Sequence, residues 1–165
     1  MAVFSMIPAT SDESISRLCQ LADRLWTEHY TPLIGAQQVR YMVDKFQSPG
    51  AVKQQIHDGY RYYFLCWDQQ IAGYTAVHPE KDSMFLSKIY VDRAFRNKGI
   101  ARATVEHIKA QCRENHLGKI YLTVNRGNLG SIAAYQKLGF RIAFDQKADI
   151  GNGFFMDDHI MELYL

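Results

Sequence analysis

One short run, Arg96-Asn97-Lys98-Gly99-Ile100-Ala101, places positive charge and a glycine between an apolar stretch and an amphipathic one. The apolar stretch from Phe85 to Val91 predicts a strand, and the stretch from Ala101 to Cys112 predicts a helix. The first N–H groups of a helix lack partners within it, so they attract anions, and Gly99 lets a ligand come close to the backbone. Positive charge is supplied to this turn by Arg96, Lys98 and Arg102. The pattern predicts a site for a diphosphate or a similar anion.

A second run, from Asn125 to Phe140, predicts a helix that presents a tyrosine. Asn128 and Tyr135 are two helical turns apart, so their side chains are expected on the same face. Gly139 and Phe140 are typical of a helix end at which the chain reverses and the residue after the glycine packs back. Tyr135 is therefore expected at a fixed height on its helix. A phenol stays protonated at neutral pH and can donate that proton to a leaving group.

Helical spacing of apolar residues dominates the first third of the chain. Thr10 with Glu13 predicts a capping box at the start of a first helix, which runs from about Ser11 to Glu28. A second helix is predicted around Gln37 to Phe46, and Ser48-Pro49 predicts the start of a short third one.

Strands dominate the rest of the chain together with the two helices already described. The predicted strands are Tyr62 to Trp67, Ile71 to Val77, Phe85 to Val91, Ile120 to Val124, and segments near Arg141 to Phe144 and Ile160 to Tyr164. Asp68-Gln69-Gln70 predicts a hairpin loop between the first two strands. A strand, a helix and a strand follow one another through the basic turn, which is typical of a parallel crossover. The chain is therefore expected to be a mixed α/β fold forming one domain, residues 1–165.

Charge and cysteine content exclude several classes of protein. The 19 basic and 17 acidic side chains are interspersed and give a net charge of +2, unlike the clustered basic face of a nucleic-acid binder. No apolar run is long enough to span a membrane, and Met1 to Ile7 lacks the basic residues of a signal peptide. Three widely spaced cysteines predict neither a disulfide framework nor a metal site. We expect a cytoplasmic protein without a metal, in which Cys19, Cys66 and Cys112 are buried.

The basic turn and the tyrosine helix together carry a family resemblance. Arg96-x-x-Gly99-x-Ala101, the strand before it, and Asn128 through Tyr135 to Leu138-Gly139-Phe140 resemble the acyl-CoA-binding core of the GNAT superfamily of N-acetyltransferases. This resemblance covers Met84 to Phe144. It implies a domain whose mostly antiparallel sheet, flanked by helices, splays open beside the basic turn.

The resemblance implies acetyl-CoA as a co-substrate and a set of residues that bind it. Its diphosphate would lie on the turn at Asn97 to Ala101, held by backbone N–H groups and the helix dipole. Its pantetheine amides would pair with the strand at Ile89 to Val91 as an extra strand does. Asn128 and Ser131 would face the same arm, and Lys137 would approach a phosphate. The expected cofactor-binding residues are Ile89, Tyr90, Val91, Arg96, Asn97, Lys98, Gly99, Ile100, Ala101, Arg102, Asn128, Ser131, Tyr135 and Lys137.

Acetyl transfer to an amine needs a proton acceptor, an oxyanion donor and a proton donor for the departing thiolate. Tyr135 is assigned as the proton donor, and a backbone N–H at the end of the Phe85 to Val91 strand as the oxyanion donor. The acceptor stays open, because many family members carry a glutamate on that strand and this chain has none in Met84 to Lys88. The candidates are ordered water, Glu28, His29, His78 and Asp82. No nucleophile is placed at the site, so transfer is expected to be direct.

The amine acceptor is the least constrained part of the expected site. Trp26 to Tyr30 and Ile150 to Leu165 more weakly resemble small bacterial GNAT enzymes of the polyamine acetyltransferase type. The expected substrate residues are Trp26, Glu28, His29 and Tyr30, at the end of the first helix, and Asp157 and Asp158, before the last strand. Their carboxylates would attract a cation, although a solvated helix end and an acidic loop would look the same. A polyamine, another small amine, an amino-sugar antibiotic and a protein N-terminus all stay open as acceptors, and so does a homodimer.

Two other functions compete with an acetyltransferase. A dinucleotide-binding oxidoreductase needs G-x-G-x-x-G, normally in the first strand-to-helix turn, whereas this turn has one glycine and lies past the midpoint of the chain. A module that binds acyl-CoA without catalysis is favoured by the missing strand glutamate, but Tyr135 in its full context counts against it. The sequence therefore favours an acetyl-CoA-dependent N-acetyltransferase, which acts on a small-molecule or peptide amine.

Overall fold

Residues 2–165 form five α-helices and seven β-strands in the computed structural model that describes them. The helices are α1 (Asp12–Ile34), α2 (Ala36–Phe46), α3 (Pro49–His57), α4 (Ile100–Glu114) and α5 (Leu129–Lys137). The strands are β1 (Phe4–Pro8), β2 (Arg61–Trp67), β3 (Gln70–Pro79), β4 (Ser83–Val91), β5 (Lys119–Asn125), β6 (Arg141–Gly151) and β7 (Phe154–Tyr164). Met1, the first residue of the segment that we judged not to be a signal peptide, lies outside the described residues.

The strands are hydrogen-bonded in the order β1-β2-β3-β4-β5-β7-β6. Antiparallel pairs outnumber the parallel pair between β4 and β5, so the expected mixed α/β class with a mostly antiparallel sheet is confirmed. The described chain divides into two compact units, Met1–His78 with Lys88–Thr104, and Pro79–Ser87 with Val105–Leu165. No helix among residues 2–165 is long and apolar enough to cross a bilayer.

The first unit contains α1 to α3, β1, β2, β3 as far as His78, the end of β4 and the start of α4. The hairpin between β2 and β3 is tighter than predicted, because Gln70 pairs with Trp67 and only Asp68 and Gln69 form the turn. Both turn residues have positive φ, 49° and 67°, as a two-residue hairpin turn of the favoured twist requires. Gly73 on β3 lies so close to β4 that a Cβ built there would be 2.0 Å from the carbonyl oxygen of Tyr90.

Helix α1 begins one residue later and ends well beyond its predicted bounds. The cap is Ser11 and not Thr10, since Ser11 is extended (φ −83°, ψ 157°) and its side chain accepts the N–H of Ser14 at 3.1 Å. Ser14 completes the box with an Oγ that accepts the N–H of Ser11 at 3.0 Å, so Glu13 is not needed. The helix continues through Pro32 to Ile34. The other two N-terminal helices match their predictions, with Ser48 capping α3 and Pro49 in its first turn.

The second unit contains the start of β4, the rest of α4, and β5, α5, β6 and β7. Pairing of β4 with β5 covers three residues, from Ser83 with Lys119 to Phe85 with Tyr121. Strands β6 and β7 form one long hairpin, so our short predictions near Arg141 to Phe144 and Ile160 to Tyr164 were incomplete. The missed signal was Asn152-Gly153, whose φ values of 54° and 77° suit a tight hairpin turn. Strand β1 was also missed.

All three cysteines are free and buried, as expected. Cys112 is 0% exposed on α4, and burial raises the pKa of its thiol. Burial likewise raises the pKa of Cys19 to about 11 and that of Cys66 above its usual value. Each cysteine is therefore a protonated part of the core at neutral pH.

Candidate active site

The basic turn lies in the first unit, between the end of β4 and the start of α4. The chain does not turn straight into the helix as predicted, because a short 3-10 turn, Arg93–Phe95, comes first. The side chain of Asp92 caps this turn by accepting the N–H of Ala94 at 3.2 Å. Ile100, the first residue of α4, is 2% exposed and packs in a cluster with Val91 and Phe95. Apolar packing on both sides therefore holds the turn in place.

The backbone of the turn is open at the position where an anion would approach. Asn97 and Gly99 both have positive φ, 63° and 81°, which turns the chain sharply before the helix. A Cβ built on Gly99 would have no heavy atom within 4 Å. The N–H of Ala103 bonds to the carbonyl of Gly99 at 2.9 Å, so the N–H groups before it in the turn have no acceptor within the helix. This geometry suits a diphosphate.

Positive charge at the turn is not neutralised by the protein. The side chains of Arg96, Lys98 and Arg102 are exposed, and no carboxylate pairs with any of them within residues 2–165. Three cations without a salt bridge, beside open N–H groups, favour a ligand that carries more than one negative charge.

Strand β4 leads into this turn through Ile89, Tyr90 and Val91, the three residues expected to pair with pantetheine. The strand ends where the N–H of Asp92 donates to the carbonyl of Ala72 at 2.7 Å. The Tyr90 side chain extends into a cluster of aromatic rings, where its hydroxyl lies 2.7 Å from that of Tyr30. This strand therefore joins the basic turn to the aromatic cluster within one unit.

The aromatic cluster contains three of the expected substrate residues, Trp26, His29 and Tyr30. These residues lie inside α1 and not at its end, because the helix continues to Ile34. Trp26 and Tyr30 each pack against the ring of Tyr90, with ring centroids 5.7 and 6.0 Å apart, and His29 packs edge-on against Tyr30 at 4.8 Å. The cluster forms one wall of half-buried and buried rings.

A buried chain of polar side chains, which we did not foresee, fixes this wall. Trp26 Nε1 donates to the Tyr74 hydroxyl at 2.6 Å, and that hydroxyl donates to Gln47 Oε1 at 2.7 Å. Gln47 Nε2 donates in turn to the Tyr62 hydroxyl at 3.1 Å. Burial raises the pKa of Tyr74 and Tyr62, so both remain protonated donors. No local sequence signal pointed to this network, since its members come from α1, β2, β3 and the end of α2.

The four side chains named as proton acceptors have different surroundings. Glu28 lies 3.6 Å from Arg24, whose guanidinium also bonds Asp92 at 2.7 Å and lowers the pKa of that carboxyl. Desolvation, followed by the charges of Arg96 and Arg93, lowers the pKa of His29, so its imidazole is neutral at neutral pH.

The other two acceptor candidates, His78 and Asp82, make local contacts. The ring of His78 packs at a tilt of 31° against that of Tyr60, with centroids 4.5 Å apart, and its Nε2 lies 3.2 Å from the carbonyl oxygen of Asp58. Asp82 is exposed, and its carbonyl accepts the N–H of Gly118 at 2.9 Å.

The tyrosine helix lies in the second unit as α5. Asn128 is its cap and not a residue of its face, because its side chain accepts the N–H of Ser131 at 3.3 Å. The predicted helix end is confirmed: the N–H of Phe140 bonds to the carbonyl of Tyr135, and that of Gly139 to Gln136, both at 3.0 Å. The Phe140 ring packs edge-on against Tyr135 at 5.9 Å. Tyr135 is half-buried and held by this turn, and Lys137 is exposed.

Asp157 and Asp158 lie inside β7, which corrects their predicted position in a loop before the last strand. Asp157 is exposed and lies 3.6 Å from Arg126. Asp158 is 7% exposed, and burial, with the charge of Asp157, raises its pKa to about 6. Alternation along a strand directs these neighbouring side chains to opposite faces of the sheet.

The chain resembles known proteins over much of its length. A model for the acetyltransferase (GNAT) family matches residues 19–140. The uncharacterized protein YxbD of Bacillus subtilis (strain 168) is 35% identical over 81 residues, 49% of this chain and 50% of that protein. The ribosomal protein bS18-alanine N-acetyltransferase of Escherichia coli (strain K12) is 28% identical over 89 residues, 53% of this chain and 60% of the enzyme. The chain thus spans about half the length of the curated relatives it matches.

A solved structure shares the fold of this protein over almost the whole chain. The PaiA N-acetyltransferase of Thermoplasma acidophilum, crystallised in complex with coenzyme A, superposes with a TM-score of 0.79 over 99% of both chains at 17% identity. The match to the family model covers well over half of this chain, and the fold agrees with it. The protein belongs to the GNAT acetyltransferase family.

Proposed function

We propose that the protein is an acetyl-CoA-dependent N-acetyltransferase that passes the acetyl group directly to a primary amine. The observation that carries this proposal is the basic turn. Its open N–H groups, the space above Gly99 and the unneutralised Arg96, Lys98 and Arg102 suit a diphosphate, in a chain of the GNAT family. The Thermoplasma protein of the same fold was crystallised with coenzyme A, which supports this ligand.

In the first unit, we assign the residues that the sequence predicts to the parts of acetyl-CoA. The turn from Asn97 to Ala101 would hold the diphosphate, with Arg96, Lys98 and Arg102 around it. The backbone of Ile89 to Val91 would pair with the pantetheine amides, because the strand leads directly into the turn. The bound thioester supplies an activated acetyl group. In the second unit, we assign Asn128, Ser131 and Lys137 to the same ligand on the family resemblance.

Tyr135 is the proposed proton donor to the departing thiolate. Its helix end is closed by two hydrogen bonds and by the Phe140 ring, so the phenol is held without needing the ligand. A positioned acid of this kind typically contributes a rate factor of about 100 to 10,000. The chain offers no competing nucleophile among its cysteines, which are all buried, and this supports direct transfer.

The acceptor is an amine, and two classes of amine have support. A small cationic amine, such as a polyamine, suits the aromatic wall of Trp26, Tyr30 and Tyr90 with the carboxylate of Glu28, all in the first unit. A protein N-terminus is supported by the similarity to the Escherichia coli enzyme, whose name gives a ribosomal protein alanine as its substrate. We place the reaction in one domain, residues 1–165, and leave a homodimer open.

A substrate screen tests the proposal. The purified chain is mixed with acetyl-CoA and, separately, with a polyamine, an amino-sugar antibiotic and a peptide that begins with alanine. Thiol release and the mass of each amine are followed. We expect an acetylated amine in at least one mixture and none with the Gly99→Val variant. Tight acetyl-CoA binding without turnover on any amine would instead support the non-catalytic module.

A further inference from the structure

Asp92 is the residue at which strand β4, the basic turn and helix α1 meet. Its N–H donates to the carbonyl of Ala72 at 2.7 Å, where β4 ends. Its Oδ1 accepts the N–H of Ala94 at 3.2 Å, at the start of the 3-10 turn. Its Oδ2 accepts a hydrogen bond from Arg24 Nη2 of α1 at 2.7 Å. One aspartate therefore joins three elements of the first unit.

The bond between Arg24 and Asp92 joins two charged groups in a partly covered position. The side chain of Asp92 is 16% exposed, and the hydrogen bond from Arg24 lowers the pKa of its carboxyl, so Asp92 is ionised at neutral pH. Hydrogen bonds between ionised groups are roughly twice as strong as those between neutral groups. Arg24 also lies 3.6 Å from Glu28, one helical turn further along α1. The guanidinium is therefore held more closely by Asp92 than by Glu28.

The aromatic wall and the basic turn are each held by contacts of their own. The wall is fixed by the buried bond from Trp26 to Tyr74, and the turn by apolar packing around Ile100. Loss of the Arg24–Asp92 bond would leave these contacts in place. It would change only how α1 lies relative to the end of β4.

Packing alone does not fix that relative position. The ring of Tyr90 on β4 contacts those of Trp26 and Tyr30 on α1, with centroids 5.7 and 6.0 Å apart. Apolar contacts of this kind are largely non-directional, so they bring the helix to the strand without setting how far it slides along it. A short bond between charged groups has a defined length and direction. The Arg24–Asp92 bond can therefore set the register of α1 against β4.

We infer that Asp92, acting through Arg24, positions the amine-binding wall of α1 relative to acetyl-CoA on β4 and the basic turn, an inference that rests on the proposed function. Asp92 directly follows Val91, the last residue assigned to pantetheine, and Arg24 is two residues before Trp26. A shift of α1 would move the bound amine relative to the thioester. A displacement of about 1 Å from the attacking geometry can lower a rate by about 100-fold. Neither side chain is assigned a contact with either substrate, so both are positioning residues.

A direct effect of charge on the ligands is the rival explanation, and it makes a different prediction. Asp92→Asn removes a negative charge beside the basic turn, whereas Arg24→Gln removes a positive one. Through charge alone, the two substitutions would act in opposite directions. Through positioning, both would lower the rate, because each breaks the same bond.

The test is a double-mutant cycle of Asp92→Asn and Arg24→Gln. Asparagine keeps a side-chain oxygen that can accept the N–H of Ala94, so the 3-10 turn stays capped. Each variant is assayed with the best amine from the screen at saturating acetyl-CoA, and calorimetry gives the affinity and stoichiometry of acetyl-CoA binding. We expect kcat to fall about 10-fold in each single variant and no further in the double variant, with affinity and stoichiometry unchanged. Arg24→Lys, which keeps the charge, should recover part of the rate.

Asp23 offers a matched control on the same helix. It is the neighbour of Arg24, and its carboxylate lies 3.0 Å from the guanidinium of Arg40 on α2. Asp23→Asn therefore removes an Arg–Asp pair between α1 and another element without affecting β4. We expect its kcat to stay within about twofold of wild type, as is usual for the loss of an exposed ion pair.

The outcomes separate this inference from the proposed function. If the wild type acetylates an amine and the two single variants change kcat in opposite directions, charge and not position is responsible. If their losses add in the double variant, if Asp23→Asn loses as much, or if kcat does not change, the pair does not position α1. The proposed function stands in each of these cases. If the wild type turns over no amine, the proposed function fails, and the role of Asp92 fails with it.

Discussion

Replacing Asp158 by asparagine should stabilise the fold at neutral pH. The pKa of Asp158 is about 6 in the folded chain, against an ordinary value of 3.8 that the unfolded chain restores. The folded state therefore binds the proton more tightly, so the free energy of unfolding falls as the pH rises from about 4 to about 6 and stays low above that. Asparagine keeps the shape of the side chain and cannot ionise.

The size of this stabilisation follows from the difference between the pKa of Asp158 in the folded chain and in the unfolded chain. A difference of about two pKa units at 1.36 kcal/mol each sets an upper limit of about 3 kcal/mol at pH 7. Residual solvent screening of the carboxylate lowers this limit. We therefore expect Asp158→Asn to raise the free energy of unfolding at pH 7 by about 1 to 3 kcal/mol.

Urea unfolding of the wild type and of Asp158→Asn, each at pH 4 and pH 7, measures this gain in the free energy of unfolding. The two proteins should have similar free energies of unfolding at about pH 4 and should diverge as the pH rises, with Asp158→Asn the more stable. Asp44→Asn is the control, because its exposed pair with Arg40 contributes about 1 kcal/mol or less and its charge does not act on Asp158. If Asp158→Asn is less stable than wild type at pH 7, or keeps the wild-type pH dependence, the Asp158 carboxylate does not destabilise the folded chain.

Three further substitutions test the basic turn, the proposed proton donor and the packing of β3 against β4. Gly99→Val adds a branched side chain at φ 81° in the open space of the basic turn, so we expect at least a 100-fold loss of acetyl-CoA affinity by calorimetry. Gly35→Val, at φ 86° in a space that is equally open, is the matched control and should bind acetyl-CoA normally. Unchanged affinity of Gly99→Val would show that the diphosphate lies elsewhere. Tyr135→Phe keeps the ring and removes the proton donor, so kcat should fall about 100-fold or more with acetyl-CoA affinity unchanged. A normal kcat would show that Tyr135 is not the proton donor. Gly73→Ala would place a Cβ 2.0 Å from the Tyr90 carbonyl oxygen. We therefore expect chemical unfolding to show a loss of at least about 3 kcal/mol in the free energy of unfolding, and a loss below about 1 kcal/mol would contradict the close approach of β3 to β4.

The parts of the site that local sequence encodes were predictable. The helix end at Gly139-Phe140 depends on a few consecutive residues, and its two hydrogen bonds form as predicted. The basic turn was located for the same reason, although the short 3-10 turn at Arg93–Phe95 was not foreseen. Ser11 was missed as the cap of α1 because neighbouring Thr10 has the same capping chemistry, and only the backbone angles decide between them.

The parts that depend on distant residues were not predictable. The link from Trp26 through Tyr74 to Gln47 joins three separate elements, and no spacing in the sequence indicates it. Asp158 has the sequence environment of an acidic surface loop, because two aspartates in succession usually lie in water. Its burial results from the long β6–β7 hairpin, whose extent depends on cross-strand pairing and not on local propensity.

Transfer of an isotope-labelled acetyl group from acetyl-CoA to an amine is the most direct test of the central claim. The purified chain is incubated with labelled acetyl-CoA and either a polyamine or a peptide beginning with alanine, and the label on the amine is compared with the thiol released. We expect one labelled amine for each free CoA, no label on the protein, and loss of both signals in Gly99→Val. Acetyl-CoA that binds but never labels an amine, or label that passes through the protein itself, would contradict it.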